Sequence, residues 1–208
     1  MAFPTTNATE ELPAINQILA SVGQAPVTTL ETTNPDVAIA YDTLLQVSRE
    51  VLAEGWAFNK EYQFEVVTDS SKHFVIPNNM LQVDLSDISA NKNKDVVRRD
   101  GKLYDRHNHK FEISDAAGDT LKVDVTWQFD WVDLPIPIQD YITARATTFT
   151  ASRIVGDNNL VQMCARKEQY CRGAALEYDC NQGDYTFFGH PEGGNYYTSY
   201  QPYHALKR

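Results

Sequence analysis

The sequence predicts an α+β protein: a four-helix bundle formed by N- and C-terminal helical pairs, an inserted antiparallel β-sheet domain and an extended C-terminal arm. Three observations predict it. Apolar residues recur at steps of three and four near both ends of the 208-residue chain, which is the helical period. Between them, apolar and polar residues alternate, as in half-buried strands. The last 25 residues are rich in Gly and Tyr without any period. The predicted domains are therefore 1–56 with 134–183 (bundle), 57–133 (sheet) and 184–208 (arm).

Two helices are predicted in the first part of the chain. The first spans 9–23, with Thr9 as its cap and an apolar stripe that includes Ile15 and Leu19. The second spans 34–55, where Asn34 is a suitable N-cap before a proline at the first helical position. The short connection between them suggests an antiparallel pair.

The period then changes to that of strands. Short strands are predicted in "YQFEV", "HFVIP" and "LQVDL", and in "DVVRRDGKLYD" around an Asp100-Gly101 turn, with "KFEI" as a further return strand. The clearest strand is 121–133, "LKVDVTWQFDWVD", in which six apolar residues alternate with polar ones. This strict alternation indicates an antiparallel sheet with one buried face.

The second helical pair follows. Pro135 and Pro137 mark the entry to a third helix that ends at Gly156, and Asp157 caps a fourth helix from about 158 to 182. The apolar stripe predicted for the third helix consists of Ile138, Ile142 and Phe149.

Composition restricts the function classes. No apolar stretch approaches the roughly 20 residues that span a bilayer, and the N-terminus lacks a secretion signal, so we expect no membrane association and folding in a cytoplasm. A net charge of −10 argues against adhesion to nucleic acid, which needs Lys and Arg to neutralise phosphates. It is compatible with DNA sliding past an acidic wall.

Cysteines and histidines offer weak metal-site candidates. Cys164, Cys171 and Cys180 read as buried free thiols, against the alternatives of a disulfide or a metal site. His107 and His109 follow Arg106 in "RHNH", which reads as a turn tip that contacts another surface. The alternative is a metal-dependent nuclease, but a stable site needs a third and a fourth ligand, and the other histidines lie in unrelated segments. We expect no cofactor.

Acidic pairs offer a second chemical reading. Glu61 with Glu65, or Asp84 with Asp87, would suit a polysaccharide hydrolase, which needs two carboxyl groups across a cleft. Among 28 acidic residues such pairs arise by chance, so solvated strand faces are the simpler interpretation.

Two groups of aromatic residues stand out. Trp56 and Phe58 form either a stacking platform or a buried plug between bundle and sheet. The arm is unusually aromatic for an aperiodic segment, so we expect it to dock on another surface. Its candidate contact residues are Phe187, Phe188, Tyr196 and Tyr197.

Five motifs in order, "LPAINQILASVGQAPVTTLE", "VLAEGWAFNKE", "VIPNNMLQVDLS", "GKLYD" and "DLPIPIQDYITARATTFTASRIVGD", give a resemblance to a known family. Over roughly residues 12 to 182 the chain resembles the tail tubular protein A family, adaptors of short-tailed bacteriophages. The resemblance implies a helical bundle with a β domain. It also implies a virion tail protein, made in the host cytoplasm, that forms a twelve-membered ring between portal and tail nozzle with DNA passing through it. The family has no agreed catalytic motif, so no catalytic residue is carried over. Departures from the family lie in the arm and in 86–100, where contacts are not assigned by analogy.

Overall fold

A computed structural model describes residues 8–30, 34–86 and 94–183, which form four helices and five strands in two antiparallel sheets. The predicted α+β class is confirmed. The helices are α1 (Ala8–Ser21), α2 (Pro35–Ala53), α3 (Ile136–Ile154) and α4 (Asn158–Gly183). The strands are β1 (Lys60–Val67), β2 (Met80–Leu85), β3 (Val96–Arg99), β4 (Lys102–Asp105) and β5 (Thr120–Trp127).

Side-chain caps begin two of the helices as predicted. The Asn34 Oδ1 accepts a hydrogen bond of 3.1 Å from the Asp36 backbone N–H at the start of α2. The Asp157 carboxylate accepts from the backbone N–H groups of Asn159 and Leu160 at the start of α4. The predicted cap at Thr9 is wrong, because α1 already begins at Ala8 and Thr9 lies inside it.

The helical core is arranged around α3, which packs against α1, α2 and α4. Three of its large apolar side chains, Ile138, Tyr141 and Ile142, are fully buried. α3 also buries three threonines, and two of their hydroxyls are satisfied within the helix: Thr143 donates to the Gln139 carbonyl and Thr147 to the Thr143 carbonyl. The other helices supply Ile15, Ile18, Leu19, Leu44, Val47, Val51, Leu52, Cys171 and Ala175.

A second, smaller core lies under the sheets. β5 runs between β1 and β2, antiparallel to both, so that Val123 is paired with Phe64 on one side and Leu85 on the other. The β3–β4 hairpin turns at Asp100-Gly101 with positive φ at both residues (51° and 69°), as a type I′ turn requires. The buried residues of this core are Phe74, Ile76, Met80, Val96, Leu103, Leu121, Val123 and Val125.

The predicted strand 121–133 is wrong beyond Trp127, where β5 ends. The alternation of apolar residues continues, but Phe129 and Trp131 pack against the helical core, and 131–133 form a 3-10 turn. Because the period of two continues beyond Trp127, it gives no sign that the chain leaves the sheet core there and joins the helical core. The predicted strands "HFVIP" and "KFEI" are also wrong, because these stretches form only the isolated bridges His73–Glu112, Val75–Lys102 and Asp105–Lys110.

Phe149 was predicted to face the core through the apolar stripe of α3, and this is also wrong. Its side chain is 38% exposed. The guanidinium groups of Arg145 and Arg153 lie 5.6 and 5.9 Å from its ring centroid, one turn away on either side. Cation–π contact at the surface therefore accounts for the position of this ring.

Candidate assembly site and the junction with the sheet

A buried polar network at the end of α2 joins the helices to the sheet. Asn59 is fully buried, and its Oδ1 accepts a 2.7 Å hydrogen bond from the Trp56 backbone N–H. Its Nδ2 donates to the carbonyl oxygens of Leu52 and Trp127, each at 2.9 Å. Since Leu52 belongs to α2 and Trp127 ends β5, one amide side chain fixes the helix to the central strand.

Trp56 is the apolar part of the same junction. Its side chain is buried, its Nε1 donates to the Val51 carbonyl at 2.7 Å, and its ring meets the edge of the Tyr141 ring with centroids 6.2 Å apart. The interpretation of Trp56 as a buried plug is confirmed, because a buried indole with its N–H satisfied offers no stacking surface. Phe58 is partly buried against the same core, with its ring 6.2 Å from that of Phe129.

A second polar group, the Tyr141 clasp, joins three helices. The Tyr141 hydroxyl of α3 accepts hydrogen bonds from Arg145 Nη1 (3.2 Å) and from Arg172 Nη1 of α4 (3.0 Å). The same guanidinium groups pair with carboxylates of α2, Arg145 with Glu50 at 3.5 Å and Arg172 with Glu54 at 3.3 Å. Sequence reasoning missed this clasp. The only local signal was the four-residue spacing of Glu50 and Glu54, which puts both carboxylates on one helix face.

The outward face of α4 has few contacts within the chain. In this 26-residue helix, which the structure describes throughout, the buried residues are Cys171 and Ala175. Met163 is 68% exposed and Tyr170 is 79% exposed. These two residues are two helical turns apart and therefore share one face. Large exposed apolar side chains on a long, rigid helix are typical of a protein–protein contact surface.

The predicted turn at "RHNH" lies between β4 and the bridge at Lys110, and Asp105 holds it in shape. The Asp105 carboxylate is buried and accepts from the backbone N–H groups of His107 and Asn108 and from the Asn108 side chain. Burial acts to raise the pKa of Asp105, but the hydrogen bonds from Asn108 and His107 outweigh it, so this pKa lies below its ordinary value. His107 and His109 are exposed, and Arg106 pairs with Asp95 at 3.4 Å. The tip is thus an ordered surface feature, and its role as an assembly contact stays a prediction.

Glu61 and Glu65 do not come together as a hydrolase site. Residues paired across strands point to the same sheet face, so Glu65 beside Lys122 and Asp84 beside Asp124 share the face opposite to Val125. Glu61, paired with Val125, lies on the other face. Its carboxylate accepts from Trp127 Nε1 at 2.9 Å, while that of Glu65 pairs with Lys122 at 3.4 Å. Asp87 lies outside the described residues.

The cysteines and the arm contain the other candidate residues from the sequence. The prediction of three buried thiols holds for Cys171 but is wrong for Cys180, which is exposed, while Cys164 is half-buried and all three are free. Burial raises the pKa of the Cys164 and Cys171 thiols, so neither is an activated thiolate. Among the described residues, no group of three or more His, Cys, Asp or Glu is placed to hold a metal ion. Within the same part of the chain, no helix has the length and apolar character needed to cross a bilayer. The arm residues Phe187, Phe188, Tyr196 and Tyr197 lie outside the described ranges.

Two cores tied by buried polar groups and an exposed apolar face on a long helix are typical of a protein that assembles with partners. Comparison with known proteins identifies its family. A family model described as tail tubular protein matches residues 12–185, most of the chain. A similar protein, tail tubular protein A of Klebsiella phage KP34, is 28% identical over 176 residues, covering 83% of this chain and 88% of the relative. The chain belongs to the tail tubular protein family, which makes it a structural protein of a bacteriophage tail.

Proposed function

We propose that this protein is the tail adaptor, a ring of subunits held between the portal and the tail nozzle with DNA passing through its lumen. The observation that carries the proposal is the family match over residues 12–185. A non-enzymatic role fits the description of the family, and the separation of Glu61 from Glu65 on opposite sheet faces favours it over the hydrolase alternative. Twelve copies is the number that the sequence resemblance implies.

The two cores support two domains within the subunit. In this proposal the bundle (1–56 with 134–183) and the β domain (57–133) are the two domains, and Asn59 fixes their relative position. A ring subunit needs this rigidity, since a small error in angle repeated around a closed ring prevents closure. The arm (184–208) and the Arg106–His109 tip are the proposed contacts to portal, nozzle or neighbouring subunit.

The α4 face defined by Met163 and Tyr170 is the proposed lateral contact with the next subunit. A ring requires a heterologous interface, in which two different faces of one subunit meet those of its neighbours. α3 is packed between α4 and the α1–α2 pair, so α4 and that pair offer separate outer faces. Assembly would bury apolar area that is exposed to water in the monomer, and this burial would favour the ring.

Native mass spectrometry and electron microscopy of the protein, alone and mixed with its portal, measure whether it assembles. Wild-type protein should form rings on the portal. Met163→Ser combined with Tyr170→Ser should give folded monomer that does not. The control, Val67→Ser, removes an exposed apolar side chain from the β region and should assemble normally. Rings formed equally well by the double variant would exclude this face, and a wild-type protein that never binds portal would exclude the adaptor role.

A separate truncation tests the arm. Removal of 184–208 should abolish attachment to the portal. If truncated protein still assembles on it, the arm is not the portal contact, whatever the result for α4.

A further inference from the structure

A small cleft of about 30 Å³ lies between α1, α2 and the segment that connects β5 to α3. Its polar lining comes from Glu11, Ser48, Gln128 and Asp130, and its apolar wall includes Phe129 and Trp131. All four polar residues present oxygen atoms: two carboxylates, one hydroxyl and one amide carbonyl. None of the residues that line the cleft belongs to the Asn59 network or to the Tyr141 clasp.

Glu11 is the unusual member of this group. Its side chain belongs to a residue only 2% exposed, and its Oε2 is buried without a hydrogen-bond partner. Buried carboxylate oxygens in folded proteins are normally paired, because loss of water around a negative charge is costly. The hydroxyl of Tyr41 donates a hydrogen bond to the carboxylate, which leaves Oε2 unsatisfied.

The electrostatics around Glu11 increase this imbalance. Burial raises the pKa of Glu11, the Tyr41 hydrogen bond acts in the opposite direction, and the negative charge of Asp130 raises it again. The neighbouring charge across the cleft thus has the same sign as Glu11. A cation between the two carboxylates would offset both the lost hydration of Glu11 and its repulsion by Asp130.

We propose that this cleft binds a single calcium ion through the carboxylates of Glu11 and Asp130, with the Gln128 amide oxygen, the Ser48 hydroxyl and water completing the coordination. A hard divalent cation prefers oxygen ligands of these types. Calcium accepts an irregular arrangement of six to eight oxygens, whereas magnesium demands near-octahedral geometry, which favours calcium at a site built from three separate segments. The cleft has room for one ion, and the exposed position of Asp130 lets solvent water supply the remaining ligands.

Binding would join three parts of the chain. Glu11 lies in α1, Ser48 in α2, and Gln128 and Asp130 in the segment where the chain leaves the sheet and returns to the helices. The ion would therefore fasten the N-terminal helix to the connection between the two cores. This site acts independently of the proposed ring contact on α4.

The experiment measures thermal unfolding and calcium titration calorimetry of the full chain after chelator treatment and dialysis. Calcium chloride should raise the melting temperature of the wild type, and magnesium chloride should do so less, since a ligand that binds only the folded state stabilises it. Glu11→Gln should lose the calcium response. Glu10→Gln removes a neighbouring exposed carboxylate and should keep it.

Asp130→Asn provides a second variant at an exposed position, where folding is not at risk, and should weaken calcium affinity by about tenfold or more because one of two charged ligands is lost. The proposal is overturned if the wild type shows no calcium response. It is also overturned if Glu10→Gln and Glu11→Gln respond alike, or if Asp130→Asn binds as the wild type does.

Discussion

α3 and α4 are consecutive helices with opposite environments. α3 buries nine of its 19 residues, including three of its threonines, and touches every other helix. α4 is longer by seven residues, yet it buries two. Helix propensity does not distinguish them. The difference indicates that the fold depends on α3, whereas much of α4 is an exposed surface and is the proposed contact with the next subunit.

The strongest way to test this comparison is to remove core volume from α3. Ile142→Ala should lower the free energy of unfolding by about 4 kcal/mol, since it removes a fully buried side chain and leaves a cavity. Leu176→Ala on α4, where the side chain is 46% exposed, should cost about 1 kcal/mol or less. Urea denaturation measures both. Equal losses would show that α4 is as deeply integrated as α3.

The junction should be the next most sensitive position. Asn59→Ala should cost about 3 kcal/mol, because the Trp56 N–H and the Leu52 and Trp127 carbonyls would each lose a buried partner. Asn78→Ala, at an exposed position of the β region, is the matched control and should cost less than about 1 kcal/mol. A small loss for Asn59→Ala would mean that the helices and sheet are held together by apolar packing alone.

The Tyr141 clasp should contribute less. Tyr141→Phe keeps the ring that packs on Trp56 but removes the hydroxyl that both Arg145 and Arg172 contact, and about 2 kcal/mol should be lost. Tyr170→Phe on the exposed face of α4 should leave the denaturation midpoint unchanged. If the two tyrosine variants unfold at the same denaturant concentration, the clasp does not stabilise the contact between α3 and α4.

The smallest effect on stability is expected on the exposed face of α4. Met163→Ser with Tyr170→Ser should change monomer stability by no more than about 0.5 kcal/mol, since both side chains face solvent in the monomer. The change should appear only in assembly. A clear loss of monomer stability would show that these side chains pack within the subunit.

The sequence predicted local features better than it predicted which segments meet. Asn34 and Asp157 were identified as caps because capping depends on neighbours within three residues. Asp100-Gly101 was identified as a hairpin turn for the same local reason. Phe129 and Trp131 were misassigned, because their alternation with polar residues continues that of β5 although they pack on the other core.

The site was harder to predict than the fold. The Tyr141 clasp combines residues of α2, α3 and α4, and Arg172 lies 118 positions from Glu54. No periodicity links such residues. Glu11 looked like an ordinary acidic residue in the first turn of a helix, and only the packing of α2 and of the 128–131 segment around it shows that it is buried. Chemistry assembled from distant segments has no signature in a single sequence.

The order of the elements has a consequence for folding during synthesis. α2 ends at Ala53 and its main partner, α3, begins at Ile136, so about 80 residues must be translated before the helical core can close. At a translation rate of roughly 5–20 residues per second, the apolar faces of α1 and α2 lack that partner for on the order of 4–16 s. β5, the central strand, also emerges last among the strands, immediately before α3. The nascent chain therefore gains both cores almost together, and the period before that is when it most needs protection from aggregation.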